Sequence, residues 1–242
     1  LFFSQNEIEC IAQMIFQEYE KSGKLKDLGK KGEIKKFLKT HPPMDMADIA
    51  MFGRMVASDH TLMVEGAAMF SHALSTHKVS NELDFFSAVD DMRHEVDEGA
   101  GHIGTLEYNS ASYYRYVCVN LDLFADDDHL GSLSESDRKL VLDAFIRATI
   151  LAVPGGRKNS MMGFNPPENV LGMIRTGQPI SLVNAFESPV VSKHGYVQDS
   201  VTKLEEKFKW MKDTYNIKVE KEVRIPADYS LDTFCKELTE YA

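Results

Sequence analysis

Asp90-Asp91, with His94 and Glu95 just beyond, is the short cluster best suited to chemistry. Carboxylates and imidazole are suitable ligands for a divalent metal, and on a helix Asp90 and His94 would share a face as an i, i+4 pair. No second ligand cluster completes a shell, so a solvated acidic loop is the simpler reading of these residues. The spacing of His72 and His77 fits neither one helical face nor one strand face, and both read as structural or surface residues. The loop "PGGRKNS", residues 154 to 160, joins glycine N–H groups to two fixed cations, Arg157 and Lys158, and so has some character of a phosphate cradle. A helix ending just before it would present carbonyls there, which works against that use. The aromatic run Tyr113 to Tyr116 could stack bases as RNA-binding sheets do, but the RNP pattern of that module is absent. No GxSxG, HExxH, GxxxxGKS or GxGxxG occurs. No catalytic residue, metal or cofactor is therefore expected.

The totals narrow the class. With 43% hydrophobic and 26% charged residues in 242, the chain suits a globular domain with room for an insertion. No run of eighteen apolar residues could span a membrane, and Leu1-Phe2-Phe3 has neither the basic lead nor the cleavage site of a secretory signal. Cys10, Cys118 and Cys235 are few and scattered, as expected of free thiols in a reducing, cytoplasmic setting. A net charge of -10 argues against a generic nucleic-acid binder, since phosphate neutralisation needs Lys and Arg. The charge is nevertheless uneven. Residues 21 to 39 hold eight lysines against Asp27 and Glu33, whereas residues 78 to 108 hold eight acids against Lys78 and Arg93.

The elements that must position these groups follow from period and punctuation. Residues 4 to 20 read as an amphipathic helix that Ser4 and Glu7 close with a capping box. A short second helix is expected around Ile34, Phe37 and Leu38. "DIAMFGRMVAS", residues 48 to 58, alternates like a strand, with Gly53 marking a bulge or a close backbone approach. Residues 64 to 77 lean towards strand, and residues 110 to 124 are the strongest strand of all. Residues 134 to 152 form the clearest helix, capped by Ser134 or Ser136, with Leu140, Phe145 and Ile150 on its apolar face. A strand at 168 to 175, a short helix at 181 to 186, a helix at 198 to 213 and a last helix from Ser230 complete the order. This predicts an α+β fold, a sheet with its helices on one face. Between two of the strands, residues 78 to 110 carry Phe85-Phe86 and Ile103 on an acidic, glycine-punctuated excursion.

Four collinear segments, "DIAMFGRMVAS", "GAAMFSHALSTHKVSNELDFFSAVDD", "GAGHIGTLEYNSASYYRYVCVNL" and "VPGGRKNSMMGFNPPENV", and a fifth, "PISLVNAFESPV", resemble the CasC-type backbone subunits of Cascade, the type I-E CRISPR surveillance complex. The resemblance covers residues 45 to 200 well and the flanks loosely. It implies a ferredoxin-like (RRM-related) palm of the RAMP superfamily, with helical fingers and a protruding thumb. On this chain the fingers fall at 1–44, palm strands at 45–77, the thumb at 78–110, the rest of the palm at 111–200 and C-terminal helices at 201–242. It further implies a non-catalytic subunit that lines up with copies of itself along CRISPR RNA, beside other Cascade subunits. Each thumb forces every sixth nucleotide out of line, and the guide pairs in segments with target DNA.

Residue by residue, Phe86, Ser87, Val89 and Ile103 match thumb positions that wedge against bases, and Met55 matches the palm residue that interrupts the base stack. Arg54, Arg157 and Lys158 are the candidates for phosphate contact. A small hairpin core for Phe86, Val89 and Ile103, and a buried palm position for Met55, are the plain structural alternatives. Related subunits of type III complexes cut RNA with an acidic loop residue, so the resemblance also admits a metal-dependent ribonuclease using Asp90, Asp91 and His94. The family pattern opens with a palm strand and a basic RNA-binding segment, whereas this chain begins at a helix like that of the fingers. The expectation is therefore a truncated chain without its first palm strand, with an open sheet edge and weak RNA binding on its own.

Overall fold

A computed structural model describes residues 3–23, 46–57, 60–88, 102–127, 129–156, 158–161, 163–227 and 229–242. The expected helix around Ile34 lies outside these residues. Contacts divide the chain into two compact units. The first is Leu1–Phe70, Val117–Pro179 and Lys218–Ala242, and the second is Ser71–Tyr116 and Ile180–Ile217.

In the first unit, helix α1 spans Gln5–Ser22. Its capping box is complete: Glu7 N–H donates to Ser4 Oγ at 3.1 Å, and the Glu7 carboxylate accepts from Ser4 N–H at 2.8 Å. Helix α2, Ala47–Phe52, replaces the strand expected over 48–58. Ile49, Ala50 and Met51 are buried in succession, which breaks the alternation that a half-buried strand would show. Gly53 ends α2 at φ 77°, a conformation that favours glycine, and a Cβ there would meet the backbone of Gly66 at 2.9 Å. The close backbone approach expected at Gly53 is thus present, at a helix end.

Strands β1 (Ala68–Phe70) and, later in the chain, β6 (Val117–Val119) pair antiparallel, Met69 opposite Cys118. Residues 121–124 leave the expected long strand as a short helix, α3 (Leu121–Phe124), because the Asn120 side chain accepts from Leu123 N–H and caps it. Helix α4, Glu135–Leu151, starts at Ser134 as expected. Phe145 and Ile150 are buried on it, but Leu140 is exposed. Helix α4 joins two cores. Leu142 and Phe145 pack with Met51, Ala67, Phe124 and Leu130, and Ile150 packs with Val223, Phe234, Cys235 and Leu238. The second core closes over strands β7 (Val170–Ile174) and β8 (Lys221–Ile225), under helix α7 (Leu231–Thr239), which Ser230 caps. Strand β8 is an addition to the expected C-terminal helices.

In the second unit, strands β2 (Leu74–Ser75) and β5 (Tyr113–Tyr114) pair, and β3 (Glu82–Ala88) pairs with β4 (His102–Tyr108). Helix α6, Tyr196–Tyr215, buries Phe208. The short turn Val183–Phe186 packs on α6, and Leu182 N–H, just before it, donates to the Tyr114 hydroxyl at 3.0 Å. Among the described residues the strands therefore form four two-stranded antiparallel sheets. The expectation of one sheet with helices on one face is corrected to a mixed α+β arrangement of small ribbons.

Candidate nucleic-acid interface

The described part of the excursion is a ribbon. Strands β3 and β4 stay in register over all seven residues of each, from Glu82 opposite Tyr108 to Ala88 opposite His102. Residues directly opposite share a face, and successive residues alternate. Phe86 therefore shares a face with Gly104, whereas Ser87 and Ile103 face each other on the other side, together with Leu83 and Phe85. The structure thus brings Ser87 and Ile103 together and places Phe86 back to back with them. Leu83, Phe85 (63% exposed) and Ile103 form an exposed apolar face, while Phe86, at 36%, is partly sheltered. Leu83 and Phe85 are additions to the expected wedge. The alternation of β3 could have pointed to them, once Ile103 had been paired with Ser87. Val89, Asp90, Asp91 and His94 lie outside the described residues. Among the described residues, no group of three or more His, Cys, Asp and Glu side chains is placed to hold a metal ion.

The root of the ribbon is polar and buried. Thr76 N–H donates to the Ser112 carbonyl at 2.9 Å, and Ser112 N–H donates to His77 Nε2 at 3.1 Å. Since Nε2 accepts, the ring proton sits on Nδ1, 2.9 Å from the Lys78 carbonyl oxygen. His77 stacks on Tyr196 at 3.8 Å, and Ser200 Oγ donates to Thr76 Oγ1 at 2.8 Å. The structural reading of His77 holds, and the residue has a specific role. It ties the segment that enters β3 to the segment that leaves β4.

The second apolar feature is Met55, 82% exposed. It is not a core residue. Arg54, beside it, turns inward, and its side chain is only 7% exposed. Its Nη1 donates to both carboxylate oxygens of Glu7 at 2.8 Å, and its Nε donates to the Leu62 carbonyl at 2.9 Å. A guanidinium held this way is not displayed to solvent as a phosphate ligand would be. Arg157 lies outside the described residues, and Lys158 opens a short helix, α5 (Lys158–Met161), beside it. A Cβ on Gly155 or Gly156, just before, would meet nothing within 4 Å, so that loop stands open.

No helix among the described residues is long and apolar enough to cross a membrane. The three thiols are free, as expected.

A family model described as "CT1975-like protein" matches residues 1–237. No curated protein matches the chain. Among solved structures, a chain of a "CRISPR RNA-guided surveillance complex, pre-nicking" superposes with a TM-score of 0.69 at 25% identity, over 86% of this chain and 57% of that one. A chain of a "CRISPR RNA-guided surveillance complex" superposes with a TM-score of 0.64 at 24% identity, over 85% of this chain and 81% of its own length. The second likeness is one of fold. This chain spans little more than half the length of the first of these structures.

Proposed function

The chain belongs to the CT1975-like family of Cas proteins, and from that premise we propose that it is a non-catalytic backbone subunit of a type I-E Cascade assembly. In this reading it binds CRISPR RNA, lines up in the cytoplasm with further copies of itself beside other Cascade subunits, and presents the guide in segments to target DNA. The β3–β4 ribbon is the thumb, and the small sheets around α2 and α4 belong to a ferredoxin-like palm.

The observation that carries the reading is a two-stranded ribbon with exposed apolar side chains on one face and an aromatic ring on the other. An acidic protein gains nothing in solubility from displaying Leu83, Phe85 and Ile103. Between two nucleotides, however, such a ribbon gives each neighbouring base an apolar surface. Contact with a base's π-face ignores base identity, so sequence is left to guide pairing and the protein reads shape and backbone. Met55 interrupts the stack in the same sequence-blind way. Phosphate contact falls to Arg157 and Lys158.

The test is assembly of the full-length protein on CRISPR RNA, followed by chemical probing of each nucleotide. Regularly spaced reactive nucleotides are expected, and they should weaken when Phe85 and Ile103 are both replaced by serine. Uniform reactivity would overturn the reading, and failure to retain guide RNA at low salt would leave only an oligomerisation module. Incubation with Mg²⁺ or Mn²⁺ is expected to leave RNA intact; steady cleavage that is lost in Asp90→Ala would establish a ribonuclease instead.

A further inference from the structure

Glu7 is remote in sequence from the proposed RNA-contacting residues, yet it is 1% exposed and bonded to the residue beside Met55. Its carboxylate closes the capping box of α1 through Ser4 N–H and also grips Arg54 Nη1 with both oxygens. Arg54 is fixed along its backbone as well: its N–H donates to the Val64 carbonyl at 2.8 Å, and Val64 N–H donates to the Arg54 carbonyl at 3.0 Å. The Phe3 ring covers the guanidinium from 5.5 Å. On extended backbone, neighbouring side chains point to opposite sides. Arg54 turned inward and Val56 buried leave Met55 turned outward.

A buried ion pair is poor evidence for stability, because desolvating two charges offsets their attraction, and packed apolar groups would hold the segment as well. What the pair adds is direction. The one nitrogen Nη1 donates to both carboxylate oxygens, and the Nε bond to the Leu62 carbonyl fixes the rotation of the guanidinium plane. The Gly53–Gly66 approach brings the two backbones together just upstream.

We propose that Glu7 is a positioning residue for Met55. Through Arg54 it sets the angle at which the thioether leaves the surface, and Arg54 acts in this brace and not as a phosphate ligand. The inference rests on the reading of Met55 as the side chain that interrupts the base stack.

The experiment uses full-length protein assembled on guide RNAs that carry 2-aminopurine at single positions, whose fluorescence rises when the base unstacks. Met55→Ala tests the underlying reading. It should flatten the contrast between unstacked and stacked positions, and an unchanged contrast would overturn that reading. Glu7→Gln keeps the shape and an acceptor for Ser4 N–H but weakens the grip on Arg54. It should lower the contrast about twofold or more while RNA is still retained. Full contrast in Glu7→Gln, beside a loss in Met55→Ala, would overturn the present inference alone.

Where Glu7→Gln does not fold, the double variant Glu7→Gln with Arg54→Gln leaves no buried charge unpaired. Its contrast should fall, with the salt dependence of RNA retention unchanged. A logarithmic slope shallower by about 0.7 would mark Arg54 as a phosphate contact and overturn the proposal.

Discussion

The ring of Phe86 lies across Gly104, its cross-strand partner: a Cβ on Gly104 would meet Phe86 Cζ at 2.7 Å and Cε1 at 2.9 Å. The glycine is thus a seat for the ring. In Gly104→Ala the ring must swing away, and the displaced atoms are the far end of a flexible side chain. The melting transition of the chain is expected to move by no more than about 0.5 kcal/mol. Unstacking of guide RNA in the assembled complex should drop as far as in Phe86→Ala. Thermal melting and 2-aminopurine fluorescence measure the two halves of this prediction.

On the opposite face, Phe85→Ser removes an exposed ring that takes no part in either buried core. Its effect on unfolding in urea is expected to stay within about 0.5 kcal/mol. Its effect on complex assembly should exceed that of Phe86→Ser, because Phe85 shares its face with Leu83 and Ile103. Competition between wild-type and variant subunits for a limiting guide RNA ranks the two.

What was legible in the sequence was mostly local. Ser4, Ser134 and Ser230 each cap a helix because a hydroxyl reaches an amide three residues on, and that geometry needs no tertiary partner. The segment 47–52 misled because a period of two and a period of 3.6 cannot be separated over six residues, three of which, Ile49 to Met51, are buried in succession. Leu140 looked like core, but α4 turns that stripe to solvent and buries Leu142 and Phe145. The capping role of Glu7 could be read at a distance of three residues, but its grip on Arg54 spans forty-seven and belongs to the fold. Likewise Phe86 matched the family wedge; alternation along β3 separates it from Ser87, yet only the register of β3 against β4 puts Ile103 on Ser87's face and not on that of Phe86.

At the root, His77→Ala leaves Ser112 N–H without its side-chain acceptor in a part-buried site. A loss of about 1 to 3 kcal/mol is expected. His77→Gln can place an oxygen near the Nε2 position and should recover part of it. Amide exchange at Ser112 should be faster in the alanine variant and slower again in the glutamine variant. Equal exchange in both would mean that the stack on Tyr196, and not the hydrogen bond, holds the root.

Gly172, in β7, faces the second core of the first unit. A Cβ there would meet Phe234 Cζ at 2.7 Å, Leu238 Cδ1 at 2.9 Å and Val223 Cγ2 at 3.0 Å. All three side chains are buried together, so none can yield without disturbing the others. Gly172→Ala is expected to cost about 1 to 3 kcal/mol by overpacking, as read from urea midpoints at an unchanged slope.

Cys235 sits in that same core, and burial pushes its thiol up from 9.0 to about 11, against a smaller opposing pull from Arg147. Between these values the unfolded chain releases a proton that the folded chain retains, so the folded state binds more protons and loses stability as the pH rises. The contribution is fully present below about pH 9 and lost by about pH 11, and a two-unit shift corresponds to at most about 2 to 3 kcal/mol. Cys235→Ala should be less stable at neutral pH, from the small cavity it opens, but should lose less on going to alkali. Urea unfolding at pH 8 and pH 10.5 compares the two slopes. Parallel declines in wild type and variant would assign the alkaline loss to other groups, such as Lys221, whose ammonium the Glu237 carboxylate holds in its charged form.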